Sequence, residues 1–551
     1  RERGFKLLKK NNHKFYLSHV LKIESMSVAL VITVCLILAV ILYEIKWKYP
    51  ENYPPTPPFR LPLFGHSLYL RSAGKNFQEG FDRIFDRFNV GGVLCLQVAA
   101  RIRMVMISDF DILKKILKTD DLNYRLAHDF SIDYTKKLYQ GIGVDGVLWS
   151  YGSIWKQQRR FMLSTLKNFG FGRSSMEDML MEEATLFVNF LNEENIQTGG
   201  NIRIANLFNI GILNVLWRIV AGTRFEYRDP ELQKIVHKVG DAILSTNLKP
   251  TIAAIFPFLR TIYPGIDDTQ EVTSKVAAVY EFLQTAVKNH EANFDPNHPR
   301  DFIDTYLLKI KDSEENPDKE NDSFRGELGK LNLSKTLLDL FFAGSETTSS
   351  TLSWGVLFMV RHPEIQKKVQ EELDLFLHEG DGESFRKARS EDRIHLPYTE
   401  AVICEIQRRG NITPMGVPHA TYSGDAKVGD YVVPKGHVVN AYLSGIFRNP
   451  KYFGPNPDQF NPDRFLEVAS DGGVKFIKNE YLIPFSIGKR SCPGENLARM
   501  EIFSFFTSIL QRFELRSIDG EIPSTDFISG ITSIPKPFNI KLIPRDVKII
   551  V

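Results

Sequence analysis

The sequence predicts a mainly helical fold with a small β component, preceded by a hydrophobic membrane anchor. Three observations predict it. Through most of residues 75–440, apolar side chains recur with the helical period near 3.6, interrupted by Pro, Gly and Asp/Asn clusters. The β-prone runs are few and short: Gly92–Gln97, Met104–Ile107, Tyr431–Val433 and Phe538–Ile543. Ser27–Tyr43 reads SVALVITVCLILAVILY, seventeen residues without a charge. A chain of 551 residues with 40 Phe can bury a large interior, and no repeat or long low-complexity tract divides it. Its 69 basic and 66 acidic side chains leave +3, which gives no reason to expect a nucleic-acid partner.

The amino-terminal elements bear on location. As a helix, Ser27–Tyr43 spans roughly 26 Å, close to the ~27–30 Å of a bilayer core. A signal-peptide h-region and a buried core helix are the alternatives. An h-region is shorter, and Glu44, Ile45, Lys46, Trp47 and Lys48 follow in place of a small-residue cleavage site. Residues 1–25 carry seven Lys or Arg against Glu2 and Glu24 and read as an upstream extension, with Met26 as the start of the mature chain. A net +5 ahead of the anchor would keep that end cytosolic and send the body into the lumen. From Met26 onward, Lys46, Lys48 and Arg60 hold the body on the cytosolic side instead. A mitochondrial presequence is the competing reading of this basic, acid-poor stretch, although a matrix enzyme has no need of the span that follows. Residues 44–66 form a proline-rich hinge, in which Pro54, Pro55, Pro57, Pro58 and Pro62 fix φ and remove amide donors. Residues 67–551 remain as one body, in which a charged stretch over 311–326 is expected to be a solvated loop.

Four cysteines, Cys35, Cys95, Cys404 and Cys492, are too few and too irregularly spaced for a disulfide framework. No Cys-x-x-Cys or paired Cys/His cluster suits zinc, so a metal site would rest on one thiolate. The segment PFSIGKRSCPGENLAR, residues 484–499, indicates which one. Phe485, Gly488, Arg490, Cys492 and Gly494 match F-x-x-G-x-R-x-C-x-G, a pattern that arises by chance in such a chain less than about once in a thousand. Gly488 and Gly494 allow tight turns that leave backbone N–H groups free to point at one sulfur. Those donors, with Arg490 nearby and a helix beginning near Glu495, favour a thiolate that donates to iron. A structural cysteine in a buried loop is the alternative.

This segment resembles the cysteine loop of the cytochrome P450 superfamily, and the chain as a whole resembles the microsomal animal type. The resemblance implies the cytochrome P450 fold behind a transmembrane anchor, haem b (iron protoporphyrin IX) as cofactor and Cys492 as its axial metal ligand. Other parts of the chain carry it independently. Lys335–Arg361 reads as one helix ended by His362-Pro363, with FFAGSETTSS at its centre, where Gly344 and clustered Ser and Thr break helix preference. Ala343, Gly344, Glu346, Thr347 and Thr348 match the family's oxygen-activation motif. By resemblance, Gly344 opens a groove over the haem for dioxygen, Thr347 hydrogen-bonds there, and Glu346 relays protons towards it. An isolated Glu-Thr pair would ordinarily be a solvated helix face.

CEIQRR places Glu405 and Arg408 at i, i+3, and Pro462-Asp463-Arg464-Phe465 supplies the arginine that completes this pair in the family. Their implied role is structural: a carboxylate buried between two guanidiniums. Trp155 and Arg159, at i, i+4, resemble the residues that bind a haem propionate; His419 and Arg490 match further propionate contacts, and Phe485, which opens the cysteine-loop motif, is by the same resemblance a haem-binding residue. A lone Trp on a helix is usually core.

The resemblance implies a monooxygenase that inserts one oxygen atom of dioxygen into a small lipophilic substrate. It takes electrons from NADPH through a separate reductase, with cytochrome b5 as a second donor. The implied location is the endoplasmic reticulum membrane, with the body facing the cytosol. A haem-thiolate isomerase or dehydratase is the alternative enzyme, although such members depart from the acid–alcohol pair that Glu346 and Thr347 provide. A membrane-tethered haem sensor is the non-catalytic alternative. Substrate choice in this family falls to the loop before Trp155, Ser245–Phe258, the helix near Phe342, residues 412–417 and Ser529–Ile534, which do not name a compound.

Overall fold

The computed structural model describes residues 49–551 apart from 59, 62–63, 75, 100–101, 126–145, 171–173, 246–258, 264, 267–268, 317–321, 380–383, 422, 469, 471 and 551. It also describes residues 30, 31, 33–35, 37–39 and 42. Residues 1–25 and much of the expected anchor, 27–43, therefore lie outside the described residues; the anchor positions that are described are helical and exposed. No helix among the described residues is long and apolar enough to cross a membrane. The expected recognition segments 126–145 and 246–258 also lie outside them.

Seven helices position the site: α1 (Gly152–Asn168), α2 (Ser174–Gln197), α3 (Asn209–Ala221), α4 (Gly326–Arg361), α5 (Pro363–Leu377), α6 (Pro397–Gly410) and α7 (Glu495–Arg512). From Ser345 to Val360 every residue of α4 except Thr347 is buried. A helix buried on all faces runs through a core rather than over it, and α3, α6 and α7 all pack against α4. Pro363 explains the end of α4. It disfavours helical geometry at His362, then serves as the first residue of α5, where its missing N–H would be unpaired anyway. Pro397 opens α6 in the same way, and Asn411 closes it in the left-handed region at φ 38.

The expected helix from Lys335 begins nine residues earlier, at Gly326. Its first turns carry Glu327 and Lys330 and look like loop in isolation, but Leu331 and Leu333 are buried, so packing extends the helix. The expected loop over 311–326 is likewise shorter, because Phe302–Glu315 is helical and takes in residues 311–315. Asp301 starts that helix by accepting a hydrogen bond from the N–H of Asp304.

The main sheet has five strands: β1 (Val93–Ala99), β2 (Ile102–Ile107), β3 (Tyr124–Arg125), β4 (His419–Ala420) and β5 (Val438–Ala441), in the order β1-β2-β5-β4-β3. β5 runs parallel to β2, and the other pairings are antiparallel. The expected runs at 92–97 and 104–107 are the core of β1 and β2, whereas β3, β4 and β5 are too short to announce themselves. They matter for the site, because the β3–β4 register sets Arg125 opposite His419.

Candidate active site

The cysteine loop is closed by its own backbone. Cys492 N–H donates to the Phe485 carbonyl at 2.9 Å and Ser491 N–H to Gly488 at 3.2 Å. Gly488 has φ +83, and a Cβ there would fall 2.2 Å from the Leu117 carbonyl oxygen, so both the turn and the close approach exclude a side chain. Lys489 N–H donates to that same carbonyl, at 3.2 Å, which pins the loop to the end of the Phe110–Ile116 helix. α7 begins three residues after Cys492, so the positive end of its dipole lies by the sulfur. The Cys492 side chain is accessible, yet enough protein surrounds it that desolvation pushes its thiol up; the Gly494 N–H and the Arg159 charge oppose this, while Glu495 adds to it.

The expectation that Arg490 supports the sulfur needs correction. Arg490 turns away, donating to the carbonyls of Asn123, Ser150 and Val147 at 2.6–3.3 Å, with its guanidinium 3.9 Å from the centre of the Trp155 ring. Arg159 is the cation that the sulfur feels, and it donates to the Ser491 carbonyl at 2.6 Å. Arg125 joins the two: it donates to the carbonyls of Val417 and Pro418 and is buried. None of these three guanidiniums has a carboxylate partner among the described residues. Burial, reinforced by Arg125 and Arg159, pushes Arg490 down to about 8; burial, reinforced by Arg159, pushes Arg125 down to about 9. A guanidinium keeps its proton in a protein, so these shifts express an unmet demand for anions.

The Trp155 Nε1–H is buried without an acceptor among the described residues. An orphaned indole N–H beside three uncompensated guanidiniums is what two propionate carboxylates would satisfy, and the residues therefore fit haem. His419 takes a different part. Its Nδ1 donates to the Leu122 carbonyl at 2.6 Å, while burial, with Arg125 and Arg490 alongside, drives its pKa well below the ordinary value. A neutral ring in that tautomer offers Nε2 only as an acceptor, so it would have to be charged by a nearby carboxylate to donate to one.

On α4, Ala343 is exposed, its neighbours Phe342 and Gly344 are partly exposed, and Thr347, one turn later, is partly exposed in a stretch that is buried on either side of it. Thr347 Oγ1 donates to the Ala343 carbonyl at 2.7 Å. Glu346 is buried; its Oε2 accepts from Asn209 Nδ2 at 2.9 Å, and desolvation raises its pKa. Gly344 differs from expectation. A Cβ there would meet Leu216 Cδ2 at 2.6 Å, so the missing side chain lets α3 approach α4, while Ala343 beside it is the most accessible residue of this stretch.

The Glu405 carboxylate is gripped on both oxygens by Arg408, at 2.6 and 2.7 Å, with both side chains fully buried. Arg408 also donates to the carbonyls of Phe447, Pro457 and Gln459, and Asn461 N–H donates to Glu405. Arg464 completes the charge rather than the hydrogen bonding. Its Nε stands 3.7 Å from Glu405 without a hydrogen bond, and its other nitrogens donate to carbonyls of residues 453–456. Phe485 is half-buried, with the Arg499 guanidinium 4.8 Å from its ring centre.

Arg125, Asn209 and Glu501 went unnoticed in the sequence. Glu501 on α7 is buried beside Thr348 of α4, and burial drives its pKa well above the ordinary value. Arg125 sits in NYRLAHDF, with no periodic or motif context, and only the β3–β4 pairing brings it to the cluster.

A helical body with a small sheet, a closed loop presenting one accessible sulfur and a cationic cradle beside it define a haem-thiolate protein. The family model described as Cytochrome P450 matches residues 54–542, and the chain belongs to that family, whose members are haem-thiolate monooxygenases. It is 36% identical over 504 residues to cytochrome P450 2J3 of Rattus norvegicus, covering 91% of this chain and 93% of that protein. To cytochrome P450 2C8 of Homo sapiens it is 39% identical over 403 residues, 72% of this chain and 77% of the relative. Cytochrome P450 2A13 of Homo sapiens is 33% identical over 521 residues, covering 94% and 99%.

Proposed function

We propose that this monooxygenase is of the microsomal type and inserts one oxygen atom of dioxygen into a small lipophilic substrate. Its electrons come from NADPH through a separate reductase, with cytochrome b5 as a second donor. The observation that carries this reading is the pairing of the buried Glu346 with the accessible Thr347 on the central helix of a chain whose Cys492 loop is intact. Cys492 would hold haem as its thiolate, with Trp155, Arg125, Arg159 and Arg490 to meet its propionates, and the bound group would supply the binding and activation of dioxygen. The protein's own part is proton management. Burial keeps Glu346 inclined to hold a proton, and the Asn209 amide holds the carboxyl in place. The Thr347 hydroxyl already donates to Ala343, which leaves its lone pairs as the acceptor that orients a proton or water at the site; it donates only by rotating. Glu405, Arg408 and Arg464 hold the backbone between residues 447 and 461, ahead of the cysteine loop.

Thr347→Ala should keep haem content and substrate binding while product formed per NADPH oxidised falls and hydrogen peroxide rises. A positioned proton-transfer group is worth roughly 10²–10⁴-fold, and water partly replaces a lost hydroxyl, so the low end is expected. Measuring product, NADPH and peroxide together checks it, once spin-state shifts over a lipid and xenobiotic panel have found a substrate. Unchanged coupling would remove the proton role. If turnover also proved independent of NADPH, the isomerase reading would take its place.

The same proposal sets the body, residues 67–551, on the cytosolic face of the endoplasmic reticulum, behind an anchor at 27–43 and a hinge at 44–66. Two features support it: the length of the uncharged run and Lys46, Lys48 and Arg60 on its body side. The protein starting at Met26 should stay with membranes through carbonate extraction and remain open to protease from the cytosolic side. Release by carbonate removes the anchor, and luminal protection reverses the orientation.

A further inference from the structure

Away from the haem-thiolate site, two recesses differ in how their charges are arranged. The larger, about 400 Å³, holds Arg408, Arg409, Arg448 and Lys536, and each is paired, with Glu405, Asp458, Asp82 and Asp526 respectively. It presents no unmatched charge. The smaller, about 240 Å³, lies between α2 and the last turn of α7, beside Lys387 just after the strand Ser384–Arg386. Here neither cation, Lys387 nor Arg512, has a carboxylate partner among the described residues. The groove is roughly 25 Å along α7 from the end nearest Cys492, so it is separate from the site already described.

The groove's polar groups are built for a particular partner. Lys387 Nζ donates to Thr185 Oγ1, and burial without any compensating charge lowers its pKa. Among the described residues the Arg512 side chain makes one hydrogen bond, from Nη1 to the Val547 carbonyl at 3.2 Å. Gln511 is 3% exposed; its amide donates to the Arg386 carbonyl at 2.9 Å, and its Oε1 is buried without a donor among the described residues. Ser508 and Asn189 line the same recess. A ligand suited to it accepts from two cations and donates one hydrogen bond to a buried amide oxygen. A carboxylate cannot donate, whereas a hydrogen phosphate, or a phosphate ester carrying a hydroxyl, does both. The volume falls below that of pockets for drug-sized molecules, which limits the ligand to a few heavy atoms beyond the phosphate.

We propose that this groove binds a phosphate group, free or as the monoester of a short polyol, held between Lys387 and Arg512 with Gln511 accepting a hydrogen bond from it. The test is equilibrium dialysis of the full-length holoprotein in phosphate-free buffer, with labelled inorganic phosphate in one arm and labelled glycerol 3-phosphate in the other. Saturable binding at one site per chain is expected in at least one arm, weakened about tenfold or more by Lys387→Gln and, separately, by Arg512→Gln. Lys536→Gln, which alters a paired cation in the other recess, should leave it unchanged. Tighter binding of the ester assigns the site to a phosphomonoester; equal or tighter binding of phosphate assigns it to the free ion. The reduced carbon monoxide spectrum of each variant reports whether it remains folded around haem. No saturation in either arm, or the same affinity in both folded variants as in the parent, overturns the site.

Discussion

Cys492→Ser is expected to abolish the red-shifted Soret band of the reduced carbon monoxide complex, together with substrate oxidation. That band requires a thiolate on iron, and a serine hydroxyl neither ionises near neutral pH nor donates electrons as sulfur does. No other cysteine is placed to substitute. Cys95 and Cys404 are buried, where desolvation pushes each thiol up to about 12, and neither offers a sulfur that an iron could reach. Cys35 lies in the amino-terminal apolar run. Cys492 alone combines an accessible sulfur, a backbone N–H directed at it, a helix start three residues on and the charge of Arg159. Ferrous–carbonyl spectra of haem-reconstituted mutant and parent decide the matter: a mutant that retained the band would have its ligand elsewhere.

The second large effect is on folding. Arg408→Ala should yield little haem-loaded protein, because it leaves Glu405 buried with, among the described residues, only the Asn461 N–H and Arg464 at 3.7 Å as partners. Removing one member of a buried ion pair costs about 3–5 kcal/mol, against a typical domain stability of about 5–15 kcal/mol. The loss goes beyond the pair, since Arg408 also ties α6 to carbonyls of Phe447, Pro457 and Gln459. Haem content per purified chain and the thermal midpoint measure the outcome. A well-folded mutant with normal haem content and selectively lost turnover would move Glu405 and Arg408 from scaffold to chemistry.

These two sites differ from the propionate cradle in how they are written in the chain. The cysteine loop occupies ten consecutive positions, and Glu405 and Arg408 share one helical turn, so local spacing alone exposes them. Helical character was equally local: the 3.6 period and the proline at 363 mark elements that the structure contains. The start of α4 was not legible, because its first turns are polar and only burial of Leu331 and Leu333 draws them into the helix. Nor was the purpose of Gly344, since it depends on Leu216 in a different helix.

The sequence by itself determined the helical class and located Cys492, the Glu346-Thr347 pair and the Glu405–Arg408 ion pair, because each is a pattern within a few residues of one chain segment. Tertiary structure decided which charges meet. Arg125, Arg159 and Arg490 lie far apart in sequence and gather only through the β3–β4 pairing and the seating of the cysteine loop against α1. Three like charges held together in a buried place repel one another unless anions join them. That electrostatic demand arises only once the chain is folded, and no spacing in the sequence expresses it.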